Sequence, residues 1–202
     1  MNIFKIIENV LKDLKLSLQN HRGLSVFAEE KAKFEGWVKV ELCSIFLQRG
    51  LIPVPEKNRV DIVVNNDTAV EIKTVNTNYN FAGVKNKRKP FTKNINSVVK
   101  DIEKLRKFKY KFKIVLFIIF PCEIKNSPWQ KDFAKTTKEL SILLVEEFIF
   151  SGDNKIPGVI CAGLVAEECE FCRVNSFVKI TDDNIKLCNF CYSKISNKCN
   201  VC

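Results

Sequence analysis

The sequence is poor in several residue types that common enzyme classes require. It contains one histidine, His21, which argues against histidine-based phosphodiester chemistry. It has seven glycines and carries neither a glycine-rich phosphate loop nor a G-x-x-x-x-G-K-[ST] motif, which argues against a built-in ATP motor. No apolar run reaches the roughly 20 residues of a membrane span. Five charges interrupt the first eighteen residues, unlike the apolar core of a signal peptide. We therefore expect a cytoplasmic protein with reduced thiols.

The composition is that of a globular protein with a surplus of basic residues. The 202 residues are 46% hydrophobic and 28% charged, and the net charge is +10. Such a surplus favours an anionic partner, usually nucleic acid, although a lysine-rich composition without such a partner is the alternative. The length suits one ordinary domain plus a small module.

The order of apolar patterns predicts an α/β domain in which helices flank a mixed sheet. Helical spacing predicts helices over residues 3–19, 25–48, 92–108 and 129–139. Two β-branched runs, "RVDIVV" and "AVEIKTV", surround Asn65-Asn66-Asp67 and predict a β-hairpin. The runs "FKIVLFIIF" and "LSILLVEEFIF" predict two further strands. We place this domain at residues 1–157, with its core at about 25–150, and a cysteine-rich module at 158–202.

The predicted hairpin carries three charged residues, Asp61, Glu71 and Lys73, in otherwise apolar strands. Residues i and i+2 of a strand share a face, so Glu71 and Lys73 point the same way while Ile72 points to the core. The hairpin can bring Asp61 beside Glu71. Two adjacent carboxylates repel each other, and Mg²⁺ removes that repulsion. The pattern indicates metal-dependent hydrolysis of a phosphodiester, and a solvated pair on an exposed hairpin is the alternative.

These motifs resemble the PD-(D/E)XK nuclease superfamily, which has a restriction-endonuclease-like core. The resemblance covers residues 35–120. "VELCSIFLQRG" resembles its first helix, "VDIVV" and "VEIKT" its hairpin, "NINSVVKDIEKLRK" its next helix and "KIVLFIIFP" the strand behind. Val60 stands where the pattern has proline.

The resemblance implies a set of site residues. Asp61, Glu71 and the carbonyl of Ile72 would bind Mg²⁺, and Lys73 would handle the attacking water. Glu41 would be the acid of the first helix, preferred over Glu35 because it lies nearer the hairpin in sequence.

The C-terminal segment carries three C-x-x-C doublets. The first two, Cys169/Cys172 and Cys188/Cys191, are separated by fifteen residues, a spacing typical of a Cys₄ zinc site. The residues between them alternate like a small hairpin, so the module resembles a zinc ribbon. The third doublet, Cys199/Cys202, could replace one of the others or form a second site with Cys161. Disulfides or free thiols are the alternatives.

A basic loop follows the second strand of the hairpin and is a candidate for contact with DNA phosphates. Its basic residues are Lys85, Lys87, Arg88 and Lys89. The sequence thus predicts a Mg²⁺-dependent DNA endonuclease of the restriction or defence type, acting as a homodimer if it cuts both strands. A structure-directed repair or recombination nuclease is one alternative. The other is a non-catalytic zinc-ribbon protein that binds nucleic acid on a nuclease scaffold.

Overall fold

The protein is a mixed α/β structure built on one open sheet. The computed structural model describes residues 3–85, 91–125, 133, 140–165, 178–180 and 186–188. The helices are α1 (Ile3–Asn20), α2 (Arg22–Glu29), α3 (Glu35–Gln48) and α4 (Phe91–Arg106). The strands of the sheet are β1 (Pro53–Pro55), β2 (Ile62–Val64), β3 (Thr68–Asn76), β4 (Phe112–Phe120), β5 (Leu140–Ile149) and β6 (Pro157–Val165). None of the helices in these ranges has the length and apolar character needed to cross a bilayer.

The sheet has the order β1-β2-β3-β4-β6-β5, and only β3 and β4 run parallel. Its two faces bury separate cores because strand side chains alternate. Ile72 belongs to the core that α1, α2 and α3 cover, and Val75 belongs to the core that α4 covers. The predicted mixed sheet between helices is therefore confirmed, and α4 packs on the face opposite to α1, α2 and α3.

The hairpin of β2 and β3 closes as the sequence predicted. Asn65 and Asn66 both have positive φ angles, 50° and 61°, as the two central residues of a type I′ turn do, and Asp67 is a third loop residue because Val64 pairs with Thr68. The amide of Asp67 donates to the carbonyl of Val64. β2 pairs with residues 68–70 only, so the rest of β3 has no strand partner on that side.

The predicted helix over residues 25–48 is wrong, because the chain forms two helices there. Lys31 takes a φ of 49° after the last turn of α2, and the amide of Ala32 donates back to the carbonyl of Phe27. This is a Schellman ending, which glycine usually provides. Here Lys31 takes this position, with its side chain buried and its ammonium donating to the carbonyl of Tyr79 at 3.2 Å.

The sequence pattern also did not predict β6, which lies between β4 and β5 in the sheet. Its first residue, Pro157, ends the sheet domain in the sequence-based division, whereas the described strand continues to Val165. A Cβ on Gly158 would lie 2.4 Å from the ring of Phe148, and one on Gly163 would lie 2.4 Å from Leu140. Both glycines thus mark close packing against β5 rather than a loop.

Two predicted segments are only partly visible. The helix predicted at 129–139 lies outside the described residues except for Phe133, which is helical. In the cysteine-rich segment, Val178–Ile180 (β7) pairs antiparallel with Lys186–Cys188 (β8), which matches the hairpin predicted between the first two doublets.

Candidate active site at the free edge of β3

Glu71 and Lys73 project from the same face of β3, the face that α4 covers, while Ile72 is buried on the other. This is the arrangement that strand alternation predicts. The register of β2 and β3 pairs Ile62 with Val70, and Asp61 directly precedes β2, which places it beside the stretch of β3 that carries Glu71 and Ile72. The hairpin therefore brings the two carboxylates to one place, with Lys73 two residues further along.

Carboxylates occupy the free edge of β3 beyond the end of β2. The amide of Ile72 donates to Asp61 Oδ2 at 2.8 Å. The amide of Thr74 donates to Glu35 Oε1 at 3.0 Å, and the Thr74 hydroxyl donates to the same oxygen at 3.3 Å. Backbone amides on a sheet edge need acceptors, and here two acidic side chains supply them in succession. Asp61 and Glu35 are thus held side by side along the edge.

Lysines neutralise the acids of this cluster. Lys39 Nζ lies 3.0 Å from Asp61 Oδ1, and Lys104 Nζ lies 2.6 Å from Glu71 Oε1. Lys73 Nζ lies 3.1 Å from Asp101 Oδ2. Asp101 and Lys104 are three residues apart on α4, so one helix face supplies both.

Sequence reasoning missed Asp101, Lys104 and Lys39. A signal for Asp101 was present: it follows the buried Val98 by three residues and precedes the buried Leu105 by four, so it belongs to the apolar stripe of α4. A carboxylate on such a stripe needs a partner. Lys39 and Lys104 lie on more exposed positions, where nothing in the sequence distinguishes them from other lysines.

Burial gives Glu71 unusual acid–base behaviour. Its side chain is 3% exposed, and burial raises its pKa to about 7. The hydrogen bond and charge of Lys104 oppose this shift, whereas the negative charges of Asp61 and Asp101 add to it. The charge of Asp61 therefore reaches Glu71, as expected of two carboxylates that share a site.

Lys73 stays an ammonium in this setting. Burial alone would lower its pKa, but the carboxylate of Asp101, followed by Glu35 and Asp61, raises the pKa above the ordinary value. Burial also raises the pKa of Asp101, against the pull of Lys73. Lys73 is thus a fixed positive charge among the acids at neutral pH.

The choice of Glu41 over Glu35 as the helix acid does not match this geometry. Glu41 accepts a hydrogen bond from the hydroxyl of Ser17 on α1 at 2.6 Å, so it faces the helix layer. Glu35, six residues earlier and at the start of α3, contacts the edge of β3 instead. Proximity in sequence was a poor guide because α3 approaches β3 through its N-terminus.

The carboxylate pair fits a small divalent cation in the chemistry of its donors. Asp61 and Glu71 offer hard oxygen ligands, and Mg²⁺ commonly uses one or two carboxylates and completes its shell with water and phosphate. Lysine ammonium groups now contact both acids, so each acid already holds a cation. No three acidic, cysteine or histidine side chains of the described ranges converge as a ready-made ligand cluster. The fit is that of a two-carboxylate site.

Most of the cysteines predicted to bind zinc lie outside the described residues. Three of the four basic residues of the predicted DNA-binding loop also lie outside them. These are Cys169, Cys172, Cys191, Cys199 and Cys202, and Lys87, Arg88 and Lys89. Cys188 ends β8, of which only the backbone is described. Lys85 is exposed and paired with Glu30. Cys161 is fully buried in β6, and burial raises its pKa well above the ordinary value, so it is unsuited to a zinc site in the tail.

Comparison with protein-family models, with curated proteins and with solved structures finds no match for this chain.

Proposed function

We propose that the protein is a Mg²⁺-dependent DNA endonuclease of the PD-(D/E)XK type that hydrolyses phosphodiester bonds. The observation that carries this is the meeting of Asp61 and Glu71 across the hairpin, with Lys73 as an ammonium on the same face. Burial is the main cause of the raised pKa of Glu71, and the negative charge of Asp61 adds to it, so a cation bound by both carboxylates would offset an unfavourable negative charge.

Asp61 and Glu71 would hold the ion. The N–H and C=O of one strand residue point toward the same neighbouring strand. The carbonyl of Ile72 therefore lies on the side where its amide meets Asp61, which suits it as a third ligand. When bound, Mg²⁺ supplies charge for the phosphorane and the leaving oxygen.

Lys73 acts as a hydrogen-bond donor and positive charge. Because its pKa is raised, it is protonated at neutral pH and a poor base toward water. Its ammonium instead donates a hydrogen bond to a lone pair of the attacking water, which orients the water, and it stabilises the negative charge that develops on the phosphate. Asp101 aims Lys73 through the contact at 3.1 Å.

Glu35 takes the role expected of Glu41. It accepts two hydrogen bonds from Thr74 and lies within electrostatic reach of Lys73. We expect Glu35→Gln to lower the cleavage rate by about 10²-fold through loss of this charge. Glu41→Gln is the matched control, because the same change is made on the same helix, and its rate should stay within about threefold of wild type. If Glu41→Gln lowers the rate of cleavage of the same plasmid more than Glu35→Gln does, Glu41 is the helix acid.

The proposal is tested by incubating the wild-type chain with supercoiled plasmid DNA. We expect nicking or linearisation with Mg²⁺ and none when divalent cations are omitted. Discrete fragments from intact duplex support the restriction or defence type, whereas cutting confined to branched or flapped DNA supports a repair or recombination nuclease. DNA binding without cleavage of plasmid, branched DNA or RNA, with either Mg²⁺ or Mn²⁺, would favour the non-catalytic reading.

The cysteine-rich segment is proposed to hold one structural Zn²⁺ through Cys169, Cys172, Cys188 and Cys191. The short hairpin of β7 and β8 lies between the first two doublets, as in a zinc ribbon. We expect about one zinc per purified chain and its loss in Cys172→Ser. Cys43→Ser on α3 is the control. The zinc content of Cys199→Ser decides whether the third doublet takes part, and zinc-free wild-type protein would contradict the proposal.

A further inference from the structure

The outer face of α4 carries a row of lysines next to the carboxylate cluster. Lys100 and Lys104 stand one turn apart on α4, and Lys107 lies in the turn that directly follows the helix, where its amide donates to the carbonyl of Lys104. Lys104 turns inward to Glu71. Lys100 and Lys107 are exposed, and no ion pair joins either of them to another described residue.

The row continues beyond the end of the helix. Lys109 and Lys111 are exposed in the turn that leads to β4. Tyr110 in the same turn accepts a hydrogen bond from Asn58 at 2.9 Å, which ties it to the segment that enters β2 just before Asp61. The exposed lysines thus continue from α4 into a turn that contacts the segment leading to Asp61.

The segment around this row carries more net positive charge than the basic loop predicted from sequence, although the charge is spread over more residues. Residues 93–113 contain eight basic and two acidic residues, within a chain whose net charge is +10. One of the two acids, Asp101, faces Lys73, so Glu103 is the acid left on the outside. Apart from Lys104, which pairs with Glu71, the lysines of this row are exposed, and such a row favours an extended polyanion over a compact anionic ligand.

We propose that this α4 lysine row, Lys100, Lys104, Lys107, Lys109 and Lys111, binds the phosphate backbone of duplex DNA and leads one strand to the carboxylates. The commitment to DNA rests on the proposed nuclease function. Lys100 lies on the last two turns of α4, and Lys107 lies just beyond the end of the helix. Lys104 lies between them, where its ammonium can leave Glu71 and contact a DNA phosphate instead.

The test measures binding by fluorescence anisotropy of a labelled DNA duplex over a series of salt concentrations, with zinc-loaded protein and no added Mg²⁺. Lys100→Glu/Lys107→Glu is compared with Lys5→Glu/Arg22→Glu, which changes the net charge equally on the opposite face of the sheet. Lys5 and Arg22 are exposed on α1 and α2. Melting curves of both variants establish that they are folded.

We expect the α4 variant to bind at least tenfold more weakly near 0.1 M salt, and its slope of log K against log salt to fall by about 2, since each phosphate contact contributes about 0.9. The control variant should keep the wild-type slope. The proposal is overturned if both variants lose DNA affinity equally, or if neither variant loses any. Equal affinity for an RNA duplex or for phosphatidylserine vesicles, lost in the same variant, overturns the commitment to DNA. Binding is measured without cleavage, so the two proposals can fail separately. A chain that binds DNA through these lysines but cleaves no substrate would contradict the nuclease function and would leave the proposed DNA-binding role of the lysines standing.

Discussion

The Asp61→Asn variant is expected to lose plasmid cleavage by about 10³-fold and to keep a melting temperature within a few degrees of wild type. Asp61 contributes a charged oxygen to the proposed metal site, and loss of one group that stabilises the charge of the transition state has this scale. The carboxamide oxygen of Asn can still accept from the amide of Ile72, so the edge of β3 stays satisfied. The lost ion pair with Lys39 is partly exposed and contributes no more than about 1 kcal/mol.

Asp67→Asn is the matched control for this change. Asp67 is exposed at the turn of the same hairpin, where it accepts a hydrogen bond from the hydroxyl of Thr68. Its variant should cut at nearly the wild-type rate. Full cleavage by Asp61→Asn would remove Asp61 from the site, and a collapsed melting temperature would show that the edge contact is its main role.

The hairpin was predictable because its chemistry is local. The period of two places Glu71 and Lys73 on one face, and Asn65-Asn66 selects the turn that sets the register for Asp61. Each of these features depends on residues within a stretch of fewer than twenty. They can therefore be predicted from this stretch alone, because they do not depend on contacts with other helices or strands.

The rest of the site depends on contacts between distant elements. Glu35 reaches Thr74 across 39 residues, and Lys104 reaches Glu71 across 33. The contact of Glu35 with Thr74 follows from the break between α2 and α3 at Lys31, because this break turns the start of α3 toward the sheet edge. A lysine in a left-handed conformation gives no sequence signal for such a break, unlike a glycine.

The Glu71→Gln variant is expected to be more stable than wild type at pH 8 and inactive as a nuclease. Burial raises the pKa of Glu71 from 4.5 to about 7, so the folded chain holds this proton more tightly than the unfolded chain does. Stability therefore falls as the pH rises from about 4.5 through 7, and the cost of ionisation is fully present above that range. A shift of this size corresponds to about 3 kcal/mol. Gln carries no charge to bury and removes that cost.

The measurement is the free energy of unfolding in urea for both proteins at pH 5 and pH 8. We expect the gain from Glu71→Gln to approach about 3 kcal/mol at pH 8 and to be small at pH 5, where Glu71 is already largely protonated in the folded chain. Glu147→Gln is the control, since this exposed acid on β5 should show no such pH-dependent gain. A loss of stability at pH 8 would mean that the pair with Lys104 outweighs the burial of the charge, and that Glu71 is held for structure. The expected gain, joined to loss of cleavage in Mg²⁺, would mean that the fold keeps a costly charge because a cation is needed there.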